Sequence, residues 1–163
     1  MGMRIQTLAA LAALTLASPA VAAPDLVSAH KPQGLVDALV AKGYVAALSR
    51  DDTGDPLINL ELSGWKGALL FYDCDAASHD GCRSVQFRAK FDADAPGMSA
   101  ADALRFVATR RYGALTLDAK GDPVVTWDVW MGAGVPRAVF QEAAAQFAAT
   151  LAALGGQLYP AAR

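Results

Sequence analysis

Cys74 and Cys82 are the only cysteines in the chain, and each stands at the end of a strand-like run. Leu69, Leu70, Phe71 and Tyr72 form a short, continuously apolar stretch. Val85, Phe87, Ala89 and Phe91 then alternate with Gln86, Arg88, Lys90 and Asp92, the period of a strand with one buried face and one wet face. Between the runs lie Asp73, Asp75, Ser78, Asp80 and Gly81, which cannot build a core and read as a loop. Residues Leu69 to Phe91 therefore predict a hairpin whose strand ends bring the two cysteines side by side, within reach of a cross-strand bridge. The compartment decides whether that bridge forms.

Residues 1–22 read as a secretory signal: a lone Arg4, an apolar segment from Leu8 to Ala17, then Ser18-Pro19-Ala20-Val21-Ala22, which ends in a small-x-small cleavage pattern. Cleavage is expected after Ala22, since a cut one residue later would leave Pro24 at the new N-terminus. The apolar segment is shorter than the roughly 20 residues a bilayer span needs, and no lipobox cysteine follows. The expected product is periplasmic or secreted, with no membrane insertion after signal cleavage. In that oxidising space the cysteine pair reads as a structural disulfide rather than a redox or metal site. Loss of Arg4 takes the basic residues from 14 to 13 against 16 acidic ones, a net charge of −3. Neither the charge nor its scatter suits nucleic acid or an anionic membrane surface.

The remaining chain, about 140 residues, is one domain long. We expect a flexible tail over 23–33, a domain over 34–156 and a C-terminal tail over 157–163. Leu35, Val36, Leu39 and Val40 mark a short amphipathic helix stopped by Gly43. Strands follow at Tyr44–Ser49 and Leu57–Ser63 around Asp51-Asp52-Thr53-Gly54-Asp55-Pro56, and Ser63-Gly64-Trp65-Lys66-Gly67 reads as a turn into the cysteine hairpin. Ser99 is a candidate N-cap, with Asp102 three residues on, for a helix ending near Arg111. Ala114–Leu117 and Val124–Trp130 form a second hairpin around Asp118-Ala119-Lys120-Gly121-Asp122-Pro123, which repeats D-x-x-G-D-P. Two related helix-hairpin units, or shared turn chemistry alone, would produce that repeat. A last helix runs from Pro136 to Leu154, closed by Gly155-Gly156, with Phe140, Ala144, Phe147, Leu151 and Leu154 as its packing stripe. Helix, four strands, helix, two strands, helix makes an α+β domain: an antiparallel sheet with helices on one face. Asn59, Glu61, Gln86, Arg88, Lys90, Thr126 and Asp128 are assigned to the wet face.

Five blocks, Phe71-Tyr72-Asp73-Cys74, Cys82-Arg83-Ser84-Val85-Gln86-Phe87, Arg110-Arg111-Tyr112-Gly113, Leu117-Asp118 and Gly121-Asp122-Pro123, resemble in order and spacing the YbjN family of bacterial proteins. The resemblance spans nearly all of the mature chain. It implies a fold similar to type III secretion chaperones, a label of sensory transduction regulator, and no assigned catalytic residues. One departure is visible. Members of the family carry asparagine-rich polar positions before the Arg-aromatic-Gly block, where this chain has Leu104, Phe106 and Val107.

No catalytic constellation is legible: there is no G-x-S-x-G elbow, and His30 and His79 are the only imidazoles. A nucleophile built from Cys74 or Cys82 with His79 needs a reduced thiol, which export disfavours. Asp73, Asp75, His79 and Asp80 offer ligand atoms to a divalent cation, yet EF-hand and zinc spacings are both missing, so a solvated acidic loop is the preferred reading. Gly132-Ala133-Gly134 before the last helix lacks the third glycine of a phosphate loop and reads as a connector. No metal site or cofactor is predicted.

What remains points to contact surfaces. Trp127 shares parity with Val125 and Val129 and belongs to the core, whereas Trp130 has the opposite parity and Trp65 sits in the predicted turn. Ala138, Ala145, Ala149 and Ala152 form a small-residue strip on the last helix, fit for a close helix approach or for a homodimer contact, although alanine is also the best helix former. Trp65, Trp130 and the four alanines are the candidate partner-binding residues. The expected function is that of a non-enzymatic, periplasmic, chaperone-like binding protein with an unidentified protein partner. The alternative is a small-ligand or divalent-metal sensor built on the cysteine-closed loop.

Overall fold

Alternation along the strands sets the architecture. In the computed structural model, which describes residues 25–92, 98–111 and 113–160, six strands form one antiparallel sheet in the order β2-β3-β4-β5-β7-β6. These are β2 (Val45–Arg50), β3 (Pro56–Leu62), β4 (Trp65–Tyr72), β5 (Ser84–Lys90), β6 (Ala114–Leu117) and β7 (Pro123–Trp130). The helices are α1 (Pro32–Val40), α2 (Ala100–Ala108) and α3 (Arg137–Leu158), so the α+β class and the element order of the main sheet are as the sequence implies. One face carries Ile58, Leu62, Leu69, Val85 and Phe87, all fully buried. Against it α3 lays Phe140, Ala144, Phe147, Leu151 and Leu154, each at 0% exposure, as its spacing predicts. Phe87 sits between Phe140 and Phe147 at ring-centroid distances of 5.6 and 5.4 Å. Leu35 and Leu39 of α1 complete the layer.

The chain ends correct the expected boundaries. Leu26–Val27 is strand β1 and pairs with β8 (Val135–Pro136) in a separate two-stranded sheet. Val27 and Ala29 are buried, so 25–33 is part of the fold rather than a flexible tail. Two-residue strands show no alternation, which is why the sequence is silent about them. The signal assigned to residues 1–22 lies outside the described residues.

The C-terminal boundary moves for a packing reason. Gly155-Gly156 does not stop α3, which continues to Leu158. Gly155 is buried, and a Cβ there would lie 2.0 Å from Cζ2 of Trp65. Glycine is present because an indole ring lies on the helix backbone at that point. Trp65 is also the first residue of β4 rather than part of a turn: the turn is Ser63-Gly64 alone, with φ of 53° and 84°, the positive pair of a two-residue hairpin loop. Its ring packs on Phe91 and Tyr159 at 5.0 and 6.1 Å, so residues 157–159 belong to the packed structure.

The repeated D-x-x-G-D-P turns fold alike. In each, the first aspartate accepts two main-chain N–H groups: Asp51 from Thr53 and Asp55 at 2.9 and 3.0 Å, Asp118 from Lys120 and Asp122 at 2.8 and 3.0 Å. They close the β2–β3 and β6–β7 hairpins, which occupy opposite edges of the sheet. The second aspartate of each copy takes a cationic or imidazole partner from a neighbouring segment: His79 Nδ1 on Asp55 at 2.9 Å, Lys90 Nζ on Asp122 at 2.8 Å.

Candidate functional site: a groove between the last helix and an unfinished strand edge

The cysteine loop is engaged with the body of the protein. Cys74 and Cys82 are bonded, and Cys82 is fully buried. Asp73 accepts from the Ser84 hydroxyl at 2.8 Å, and Asp75 accepts from the main-chain N–H groups of Ala77 and Ser78. Those bonds, led by the Ser78 N–H, lower the Asp75 pKa below its ordinary value. His79 covers Gly54 and pairs with Asp55, while Asp80 meets Arg50 at 3.3 Å, docking the loop on the β2–β3 turn. The carboxylates are thus turned toward separate partners. Among the described residues no three His, Cys, Asp or Glu side chains converge as metal ligands.

The candidate contact residues divide. Trp65, a candidate partner-binding residue in the sequence, is half-buried and packs inside the chain on Phe91, Tyr159 and Gly155. Trp130 is 60% exposed on the wet face, with the Arg83 guanidinium 5.2 Å from its ring centroid. Ala138, Ala149 and Ala152 are exposed and Ala145 is half-buried, so the strip is an open helix face. Ala138 of that strip lines a concavity beside β7.

That concavity is a groove of about 850 Å³ between α3 and the last half of β7. Trp127 and Val129 form its floor, Val139 and Ala143 its helix wall, with Arg111 and Glu142 at its polar positions. Val139 is 55% exposed although it is large and apolar. Trp127 and Val129 face α3 because they pair with Phe87 and Val85 of the buried face. Asp128 and Trp130 point the other way, and Asp128 accepts from the Gln86 amide at 2.9 Å. Among the described residues no side chain in the groove is placed as a nucleophile with a base beside it; its chemistry is that of an apolar slot with charged rims.

Sequence reasoning missed the groove, although a signal was present. The last hairpin joins a four-residue strand to an eight-residue one, and strands of unequal length leave part of the longer one uncovered. No curated protein and no solved structure matches the chain. A family match extends over residues 32–158, covering both halves of the sheet, all three helices and the groove, and the chain therefore belongs to the YbjN family, described as "Putative bacterial sensory transduction regulator".

Proposed function

We propose that this chain is an exported regulatory protein that acts by binding another protein and catalyses no reaction. The family assignment supports a regulatory, non-enzymatic role. The observation that carries the finer reading is the groove: an open, mainly apolar slot beside an exposed Val139, offering area for contact and no reacting group. Periplasmic residence is supported by the small-x-small pattern ending at Ala22 and agrees with the Cys74–Cys82 bond.

Crosslinking in intact cells followed by mass spectrometry tests it, with the full-length chain expressed at native level and cells fractionated. The expected result is a processed chain in the periplasmic fraction, crosslinked through groove residues to one reproducible protein. A chain retained in the cytoplasm, or one that crosslinks to nothing at any position, would overturn the proposal.

A further inference from the structure

The two edges of the main sheet are finished differently. β6 is four residues long, whereas β2 presents six residues in unbroken register with β3, from Val45↔Glu61 to Arg50↔Pro56. No strand among the described residues lies beyond β2. Hydrogen-bond parity tells which of its main-chain groups are open. The Asp51 N–H donates to Asp55 O at 2.9 Å, so odd-numbered residues of β2 bond to β3, while the Tyr44 N–H turns away from β3, to Leu39 O. The N–H and C=O groups of Ala46, Leu48 and Arg50 are consequently directed out of the sheet, along its free edge.

The side chains leave that edge unguarded. Exposed edge strands are ordinarily kept apart by lysine, proline or a bulge. Val45-Ala46-Ala47-Leu48-Ser49 has none of these, and Arg50 at its end is held by Asp80 and by the carbonyl of Gly54. Val45, on the wet face, and Leu48, opposite the buried Ile58, are 61% and 44% exposed. Charge is divided between the two ends of the strand. Lys42 stands before β2 and Asp52 after it, both exposed and neither with an oppositely charged partner among the described residues. Two such strands laid parallel would bring the Asp51-Asp52 ends together. Laid antiparallel, the acidic end of each meets the Lys42 end of the other.

We infer that β2 pairs antiparallel with β2 of a second copy of this chain, joining the two sheets across a two-fold axis at Ala47. Open main-chain groups meet open ones only in registers that set even-numbered residues against even-numbered residues. The register centred on Ala47 places Ala46 against Leu48 of the second copy and Val45 against Ser49 of the second copy, and brings Lys42 toward Asp52 at each end. It covers both exposed apolar side chains and balances both unpaired charges. Because the edge is its own complement, the interface is isologous and closes at two copies, with only the short β6 edges left outside. The pairing goes beyond the proposed function and does not depend on it, since the groove lies at the β7 end of the strand order and stays open.

Sedimentation equilibrium of the purified, disulfide-intact chain across the micromolar range tests this, and a monomer–dimer equilibrium is expected. Leu48→Lys, at an exposed position, should weaken the dimer at least about tenfold. Lys42→Glu and Asp52→Lys should each weaken it about threefold or more, and the two changes in one chain should recover most of that loss. Ala47→Cys should give a disulfide-linked dimer in a glutathione buffer, because non-hydrogen-bonded antiparallel neighbours stand about 4.5 Å apart between Cα atoms. Thermal unfolding followed by circular dichroism shows that each variant is folded. A monomer at every concentration, a dimer indifferent to Leu48→Lys, or a charge-swapped chain no better than either single variant would each overturn the inference. So would a dimer broken by Ala149→Glu, on the open face of α3, that Leu48→Lys leaves intact. Dimerisation with no partner captured in cells would sink the proposed function alone, and capture of a partner by a strictly monomeric chain would sink this inference alone.

Discussion

Gly155→Ala is the sharpest test of how the C-terminal half is packed, because two opposing effects meet at one position. Alanine in place of glycine inside a helix gains roughly 0.5–1 kcal/mol from restricted backbone freedom. At position 155 the new Cβ would stand 2.0 and 2.2 Å from Cζ2 and Cη2 of Trp65, far inside contact distance. The indole must therefore leave its place on α3, along with its packing on Phe91 and Tyr159. Overpacking of this kind costs about 1–3 kcal/mol, and the displaced half-buried ring brings the penalty toward the upper part of that range. The net expectation is destabilisation by about 1–2 kcal/mol, a fall in Tm of several degrees for a domain of this size. Gly156 is the internal control: a Cβ there meets nothing within 4 Å, so Gly156→Ala should stabilise by up to about 1 kcal/mol. In a Trp65→Ala background the obstruction is gone, and Gly155→Ala should become stabilising. Urea unfolding followed by far-UV circular dichroism reads all four variants. If Gly155→Ala matches Gly156→Ala in the parent chain, the glycine is a helix-end residue after all and the packing account of Trp65 is wrong.

Other outcomes follow from the loop and the turns. Reduction of Cys74–Cys82, or Cys→Ser at both, should lower stability by roughly 2–3 kcal/mol while the sheet persists; a Tm unchanged by reductant would remove its role as a staple. The Lys90 ammonium donates to Asp118 at 2.7 Å and to Asp122 at 2.8 Å. The hydrogen bond from Lys90 holds the Asp118 carboxyl down to about 2, and the bonds to Asp118 and Asp122 raise Lys90 above its ordinary 10.5. The stabilisation from Asp118 is therefore present above about pH 3.8 and lost as pH falls toward 2, while that from Lys90 is present below 10.5 and lost as pH rises beyond it. Lys90→Met should flatten the acid limb of a stability–pH titration between pH 2 and 4; curves that run parallel to the parent would contradict this. Ser99→Ala removes the acceptor for the Asp102 N–H and should lower stability by about 1 kcal/mol, measured by urea unfolding.

Much of this fold is legible in the sequence because its signals are periodic. The α3 stripe from Phe140 to Leu154 and the strand alternation at Val85–Phe91 each rest on several repeats of one spacing, and both sets of residues are buried as read, although α3 runs on to Leu158. Misreadings fall where a residue type has two physical uses. Gly64 and Gly67 bracket Trp65 like turn punctuation, yet Gly67 lies in β4, where a Cβ would come within 2.8 Å of Arg88 O on the paired strand. Gly155 similarly resembles a helix stop but accommodates a ring. The groove was hidden because it arises from a strand that ends early, a relation between β6 and β7 rather than a property of either.

Hydrogen exchange in the free protein reports on the end of β7 that β6 leaves uncovered. Odd-numbered positions of β7 bond to β5, since the Phe91 N–H donates to Pro123 O and the Met131 N–H to Arg83 O. The Trp127 and Val129 amides should therefore exchange slowly, while the Trp130 amide, on the side where β6 has ended, should exchange close to the rate of an open strand edge. Equal, strong protection of all three amides in a monomeric sample would show the edge already covered.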